Sequence, residues 1–547
     1  MAGTETNVPR LEISRFDDPR VAKAARTEDY SLHAVPRSWR NSRPSLAMAF
    51  YAILSAMFYL IVSATTALAV GSVNTIIGMA AAALATGVIN YFISAHATRT
   101  GLSVALFSRS MFGQLAAALA TLIFGATAVY YAVFEGSVIA AVFHEYFGGL
   151  PLQGWYLVVV LYSIPLVIGG VRVWLDKVNG VLLPFYCVGI AAAIIMAIAA
   201  HGYSNEWLTF QPGDTGASAG PGWIFAFTVY MGVWVQMMFT MDYARYGRPA
   251  DERFNGIVTF GPVFYLLTWL LNGLIGLFLL FTIPTRGELT ETSGVLGIVS
   301  LLGVGGVIFV WASQTRINTA NYYLASTNLQ SFFARVFKLR LPRVAWVGIV
   351  GIVVFAIMLT DVFSYILQAL RVQGVFVVSW VGIAIAQIAY ERLRRSGAES
   401  EFRPGRVPLV NPAGVIAWLS STAVGIYLLF GAGAFGATWA PPITFVLAVG
   451  IYGVALEFAR RRWFLLSRPH DPRDEVDDPW EDRVLCDFCG RSYIAYEMDR
   501  HPGSGHRPIC AECASANTSL YREARREAAT FREEPASQLS SAGSEGV

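Results

Sequence analysis

Four cysteines near the C-terminus, in Cys486-Asp487-Phe488-Cys489 and Cys510-Ala511-Glu512-Cys513, repeat a Cys-x2-Cys pair across a 20-residue spacer. Each pair presents two thiolates from one tight turn, and two pairs complete the tetrahedral four-sulfur set that holds structural Zn2+. His501 and His506 in the spacer are further candidate ligands, although four sulfurs suffice. A redox-active cysteine set is the competing reading. The fifth cysteine, Cys187, stands alone, so no disulfide framework is expected. Thiolate zinc sites persist in reducing compartments, which places this tail in the cytosol. Its surroundings are acidic and lack a basic stripe, so the expected partner is a cytoplasmic protein or a regulatory contact rather than nucleic acid.

A second set of reactive side chains sits where charge is costly. Glu135, in Tyr130-Tyr131-Ala132-Val133-Phe134-Glu135-Gly136, and Arg316, in Trp311-Ala312-Ser313-Gln314-Thr315-Arg316-Ile317-Asn318-Thr319-Ala320-Asn321, both interrupt long apolar runs. An arginine at bilayer depth costs about 2.5 to 3.5 kcal/mol on insertion scales, so such groups face protein or a wet cavity. Two readings are open: a static ion pair between them, or residues lining a substrate and ion path. Tyr130, Tyr131 and Trp234 offer flat aromatic faces, with helix packing as the plainer alternative. Asn318 and Asn321 lie three apart on one helical face and can both donate and accept along the edge of a heterocycle; polar contact between helices is their plainer role. Asp361, Gln368, Arg371 and Gln373 are further buried polar candidates, with Asp361 expected as a cap or gate.

The elements that must position these groups are membrane helices. The chain has 547 residues, 55% hydrophobic and 14% charged, with a mean hydropathy of +0.50, too apolar for a soluble multidomain protein. Stretches of about 20 apolar residues, enough to cross a bilayer, recur twelve times. They are expected at 45–71, 73–95, 114–143, 153–171, 178–200, 222–242, 256–284, 294–329, 344–360, 363–390, 413–432 and 438–459. Arginine and lysine collect on alternate sides: Arg37, Arg40 and Arg43, then Arg99 and Arg109, Arg245 and Arg248, Arg403 and Arg406, and Arg460 to Arg462. Arg286 is the external exception. This bias puts both termini in the cytoplasm, agreeing with the thiolate argument. The first 44 residues are polar and of mixed charge, so the first span is expected to act as its own signal anchor. The expected organisation is an N-terminal tail (1–44) that is flexible with a lipid-surface patch, a transmembrane domain (45–462), a solvated acidic linker (463–483), the cysteine module (484–516) and a polar tail (517–547) opening on an exposed helix.

Arg99-Thr100-Gly101-Leu102, Ser108-Arg109-Ser110-Met111-Phe112-Gly113 and Met241-Asp242-Tyr243-Ala244-Arg245-Tyr246-Gly247-Arg248 resemble motifs of the nucleobase:cation symporter-1 family, in its purine-cytosine permease branch. The resemblance covers 29–462 and implies an all-α, LeuT-like fold. Its features would be two inverted five-helix repeats, broken first and sixth helices, and two additional helices. It implies a substrate site at mid-membrane formed by Tyr131 and Glu135, by Gly232, Val233 and Trp234, and by Asn321. Strict spacing from Asp242 puts the family's sixth-helix aromatic on Val233, one place from Trp234. The family's sodium site would fall on backbone oxygens of Ala52, Ser55 and Ala312 and on Thr315 and Arg316. Arginine in place of a hydroxyl supplies a permanent charge where the cation would sit. The expectation is therefore that Arg316 stands in for sodium and that Glu135 carries a coupling proton (H+). The resemblance says nothing about the cysteine tail.

The expected function is a secondary active transporter importing a nucleobase or related N-heterocycle across the plasma membrane. No GxxxxGK[ST] loop is present to couple ATP. A same-fold carrier of allantoin, hydantoins, a vitamin or an amino acid is the nearest alternative. A nutrient sensor signalling through the tail comes next, and a membrane enzyme last, because no nucleophile and base set is visible.

Overall fold

Apolar chain in a bilayer has no water to satisfy its amides, so it must close its hydrogen bonds within itself. In the computed structural model it does so as helices. The structure describes residues 8–28, 30, 32–168, 175–213, 216–284, 293–339, 341–360, 362–394, 400–517 and 519–531. Asp361, Arg286 and the side chain of Gln368 lie outside them.

Among the described residues, seven helices are long and apolar enough to cross a membrane. Two bent pairs, Arg43–Ser55 with Phe58–Val70 and Gly222–Met231 with Val235–Ala244, add two broken spans. Leu152–Val167 and Arg343–Met358 are shorter, and Val304–Val336 carries the polar run. Each expected span thus corresponds to a helix or a bent pair. The two breaks, five spans apart, bend by 42° and 43°, as two related five-helix units require. The eighth span packs along the third, and the eleventh and twelfth pair with each other.

Two boundaries differ from expectation. Ser293–Leu302 is a separate helix, cut from the eighth span by Gly303 at φ 58°, so apolar continuity through 294–303 concealed a turn. The third span is preceded by a helical segment from Val104, joined through Gly113 at φ 82° and ψ 177°. A Cβ there would stand 2.7 Å from the Pro408 carbonyl oxygen, so both the conformation and the contact call for glycine.

The described N-terminal segment and the C-terminal cysteine module pack together at one end of the bundle. Strand β1 (Ile13–Ser14) adds to the antiparallel hairpin β2 (Arg483–Leu485) and β3 (Ser492–Ile494), pairing Ile13 with Val484. A second hairpin, β4 (Asp499–His501) with β5 (Arg507–Ile509), and the helix Ala511–Ala516 complete the cysteine module. The N-terminal segment is therefore not a flexible tail. Val21, Tyr30 and Trp39 are buried, and Tyr30 lies against Tyr493 of the module, more than 400 residues away and beyond the reach of local periodicity. Nor is the acidic linker solvated: Asp471 accepts from Arg403 at 2.6 Å, and Trp480 stacks on Tyr496 at 4.2 Å. The following helix, Leu520–Thr530, buries Leu520 and Ala524 and is only partly exposed. Arg371 is exposed rather than buried, while Gln373 accepts from Thr127 at 2.7 Å.

Arg403 is the hub of this junction. It is buried and binds both oxygens of Glu401 and both of Asp471, at 2.6 to 2.9 Å. Removing one member of a buried ionic set leaves its partners uncompensated, at about 3–5 kcal/mol. Arg403→Ala is expected to detach the module, read as lost hydrogen-exchange protection in 471–500 with the helical content of the bundle retained.

Candidate functional site

The breaks in the first and sixth spans face one another across a small cavity, bounded on its other sides by the third and eighth spans. Phe58 and Tyr59 enter from the first span, Tyr131 and Glu135 from the third, Val233 and Gln236 from the sixth and Asn321 from the eighth. A broken helix leaves amides without intrahelical partners. Gln314 meets one such need: its carbonyl accepts from the Met57 N–H at 3.2 Å, while its amide donates to Glu135 Oε2. Gln236 donates to the Tyr59 hydroxyl, tying the two broken spans together. Phe58 meets Tyr131 edge to face at 6.3 Å, so two aromatic rings flank the carboxylate.

Asn321 lines the cavity with both amide atoms buried and unbonded. Buried amides are nearly always satisfied, so this one is poised for a partner entering the cavity. Asn318 is also buried and unbonded, but it faces Gly136 at the contact between the third and eighth spans and does not line the cavity. Gly232 sits in the sixth-span break close to Gly374. The alternatives at Val233 and Trp234 separate cleanly. Val233 lines the cavity, whereas Trp234 turns outward, donating to Thr86 Oγ1 at 3.0 Å and packing edge-on against Phe445. One helical residue is a rotation of about 100°, which is why adjacent positions face different neighbours.

The same geometry overturns the ion pair between Glu135 and Arg316. Gln314 and Arg316 are two residues apart, about 200° around the helix, so only Gln314 reaches Glu135. Arg316 points instead to the break in the first span, where Nη2 donates to the Tyr51 carbonyl at 3.0 Å. Thr315, between them, bonds Tyr162 of the fourth span at 2.8 Å and does not face the first span. The first-span oxygens carried over from the sodium site are engaged from within the protein. Ser55 Oγ lies 2.9 Å from the Ala52 oxygen, and Ser313 Oγ donates to the Ser55 oxygen. Ala312 is fully buried beside them. Gln314, Gln236, Ser313, Phe58 and Tyr59 were not singled out as site residues by sequence reasoning. The polar run around Gln314 was the available signal; nothing marks Tyr59 before the break is known.

At the other end of the molecule, Cys486, Cys489, Cys510 and Cys513 bring their four sulfurs within 4.8 Å of one another. Sulfurs bound at about 2.3 Å to one tetrahedral ion stand about 3.8 Å apart, so the cluster fits a single metal. Backbone N–H groups of Cys510 and Cys513 point at the sulfurs of Cys486 and Cys510, at 3.3 and 3.4 Å, which stabilises thiolate charge. Neither spacer histidine joins them. His501 bonds Asn517 and stacks on Phe488, and His506 packs against His470.

The module's anchorage is expected to depend on pH in two windows. Burial disfavours the Glu401 carboxylate, but Arg403 and Arg473 outweigh it and hold the group down at about 2, against 4.5 ordinarily. A depressed carboxyl stabilises the fold above its unfolded value, and that contribution is lost as pH falls from about 5 toward 2. Burial likewise opposes His33, yet Glu497 and Glu512 raise it to about 10. Its contribution is complete below 6.5 and lost as pH rises from there to 10. Protection of the module in hydrogen exchange should therefore be greatest between about pH 5 and 6.5 and decline on either side.

The sequence matches no protein-family model and no curated protein. Its backbone, however, superposes on solved transporters. One is Mhp1, a nucleobase-cation-symport-1 family transporter, closed with bromovinylhydantoin bound: 16% identity, TM-score 0.62, covering 77% of this chain and 94% of Mhp1. The chain has the fold of Mhp1. The inward-facing form of Mhp1 aligns as well, at 15% identity and TM-score 0.63, over 78% of this chain and 92% of that one. A Na+-coupled sialic acid symporter follows at 12% identity and TM-score 0.54, over 80% and 96%. This is the LeuT-type fold in a multi-pass membrane protein, and the proteins that share it here are transporters, not enzymes.

Proposed function

We propose that this protein is a proton-coupled secondary transporter importing a nucleobase or closely related N-heterocycle across the plasma membrane, with both termini in the cytoplasm. The observation that carries the reading is the cavity between the two helix breaks. It brings together a buried carboxyl, an unbonded amide and two aromatic rings, the groups that stack on a flat polar ring and bond its edge. In it, Tyr131 and Phe58 supply faces for the ring, Asn321 reads its edge, and Glu135 carries the proton that travels with it. Arg316, fixed on the Tyr51 carbonyl, provides the positive charge that a sodium ion would otherwise bring to the first-span break. The cysteine module holds Zn2+ as a structural ion.

Counterflow exchange in proteoliposomes tests the substrate class. Vesicles preloaded with unlabelled cytosine, uracil, adenine, hypoxanthine, allantoin or benzylhydantoin would be offered the same labelled compound outside. Exchange with one ring supports the reading, and Asn321→Ala should weaken it by about tenfold or more, the value of a hydrogen bond left unmade in a buried site. Exchange with none of them, or with amino acids alone, would overturn it. Binding without exchange would point to a sensor.

A further inference from the structure

The N-terminal segment is held at both of its ends, and the two holds connect the cysteine module to the broken first span. On the module side, Leu485, the residue before Cys486, donates its N–H to the Glu12 carbonyl at 3.1 Å. Asp17 pairs with Arg483 at 2.8 Å. Further along, Glu497 grips two consecutive residues: His33 at 2.7 Å through one oxygen and the Ala34 N–H at 3.0 Å through the other. The His33 ring is stacked on Tyr493 at 4.5 Å.

On the bundle side, the Val35 N–H donates to the Gly101 carbonyl at 3.0 Å, at the end of the second span. The Asn41 N–H donates to Tyr246 at 2.7 Å, and Arg40 donates to Gly247 at 2.8 Å, just beyond the second half of the sixth span. Two residues after Asn41 the helical piece Arg43–Ser55 begins, and its far end bounds the cavity. Hydrogen bonds and ion pairs at Glu12, Asp17, His33 to Val35, Arg40 and Asn41 thus link the module to the chain that leads to the cavity.

We propose that the four-cysteine module is an intramolecular latch. By organising β2 and the turn at Glu497, its metal holds residues 9–42 across the ends of the second and sixth spans and so restrains the first half-helix. The tail acts on its own transporter, with metal occupancy as the control. Loss of the ion frees the N-terminal strand, then the contacts at Gly101 and Tyr246, and then the half-helix. The inference rests on the metal reading of the cysteines, and the test separates the two.

Full-length protein in lipid nanodiscs would be assayed for bound zinc by elemental analysis and followed by hydrogen exchange with mass spectrometry, as wild type, Cys489→Ser/Cys513→Ser and His33→Ala. The cysteine variant should lose zinc and exchange about tenfold or more faster at 34–41 and at 43–50, as well as in the module. His33→Ala leaves every sulfur in place and should keep its zinc while releasing 34–41 and 43–50. Faster exchange confined to the module in the cysteine variant, or unchanged 34–50 in His33→Ala, overturns the latch. Wild-type protein without zinc overturns the metal reading instead, and the His33→Ala result then decides the latch alone.

Discussion

Glu135→Gln is expected to abolish accumulation of substrate driven by a pH gradient while leaving counterflow exchange in place. A pH unit is worth about 1.4 kcal/mol per proton, so a one-proton symporter concentrates its substrate about tenfold per unit and about a hundredfold across two. Glutamine keeps the shape of the side chain and can still bond Gln314, but it cannot pick up and release a proton. Accumulation should fall from about a hundredfold to unity under that gradient. Initial rates and steady-state ratios in proteoliposomes measure both. Proton-driven accumulation that survives in Glu135→Gln would remove Glu135 from the coupling step.

The second large effect is expected at Arg316. Its guanidinium is buried, touches the Tyr51 carbonyl and has two further nitrogens without partners, so it is held for its charge as much as for its bonds. Hydrogen bonds to charged groups are worth about 1.5–3 kcal/mol, so Arg316→Ser should slow uptake about ten- to a hundredfold in potassium salts. Serine returns a hydroxyl and empties the volume of the guanidinium next to first-span oxygens. Part of the lost rate should therefore reappear when sodium replaces potassium. The same fractional loss in both salts would mean that the arginine is structural and does not stand in for a cation. Size-exclusion profiles and the helical content of both variants distinguish a transport defect from misfolding.

Much of the architecture was legible because membrane insertion constrains sequence so strongly. Twelve apolar stretches, the basic bias at their ends and the polar run at 311–321 are all written at the scale of single helices. What could not be read was rotation and distance. The proximity of Glu135 and Arg316 in hydropathy terms suggested a pair, yet a spacing of two residues between Gln314 and Arg316 puts them on opposite sides of one helix. Trp234 drew attention as an aromatic face for the buried polar groups, but the turn at Gly232 sends Val233 inward and the indole toward Thr86. The cysteine spacing was specific enough to indicate the four-sulfur cluster directly. The residues around it misled, because composition reports how a segment would behave alone. Both the N-terminal segment and 471–482 look unstructured in isolation and are held by partners distant in sequence, Asp17 by Arg483 and Asp471 by Arg403.

The most direct test of the transport account is uptake of the ring identified by counterflow into proteoliposomes bearing either an inward proton gradient or an inward sodium gradient, with the membrane potential clamped. The account predicts concentrative uptake with the proton gradient alone and no added accumulation from sodium. Accumulation driven by sodium and indifferent to pH would contradict it, returning a cation to the first-span break and leaving Arg316 as a packing residue.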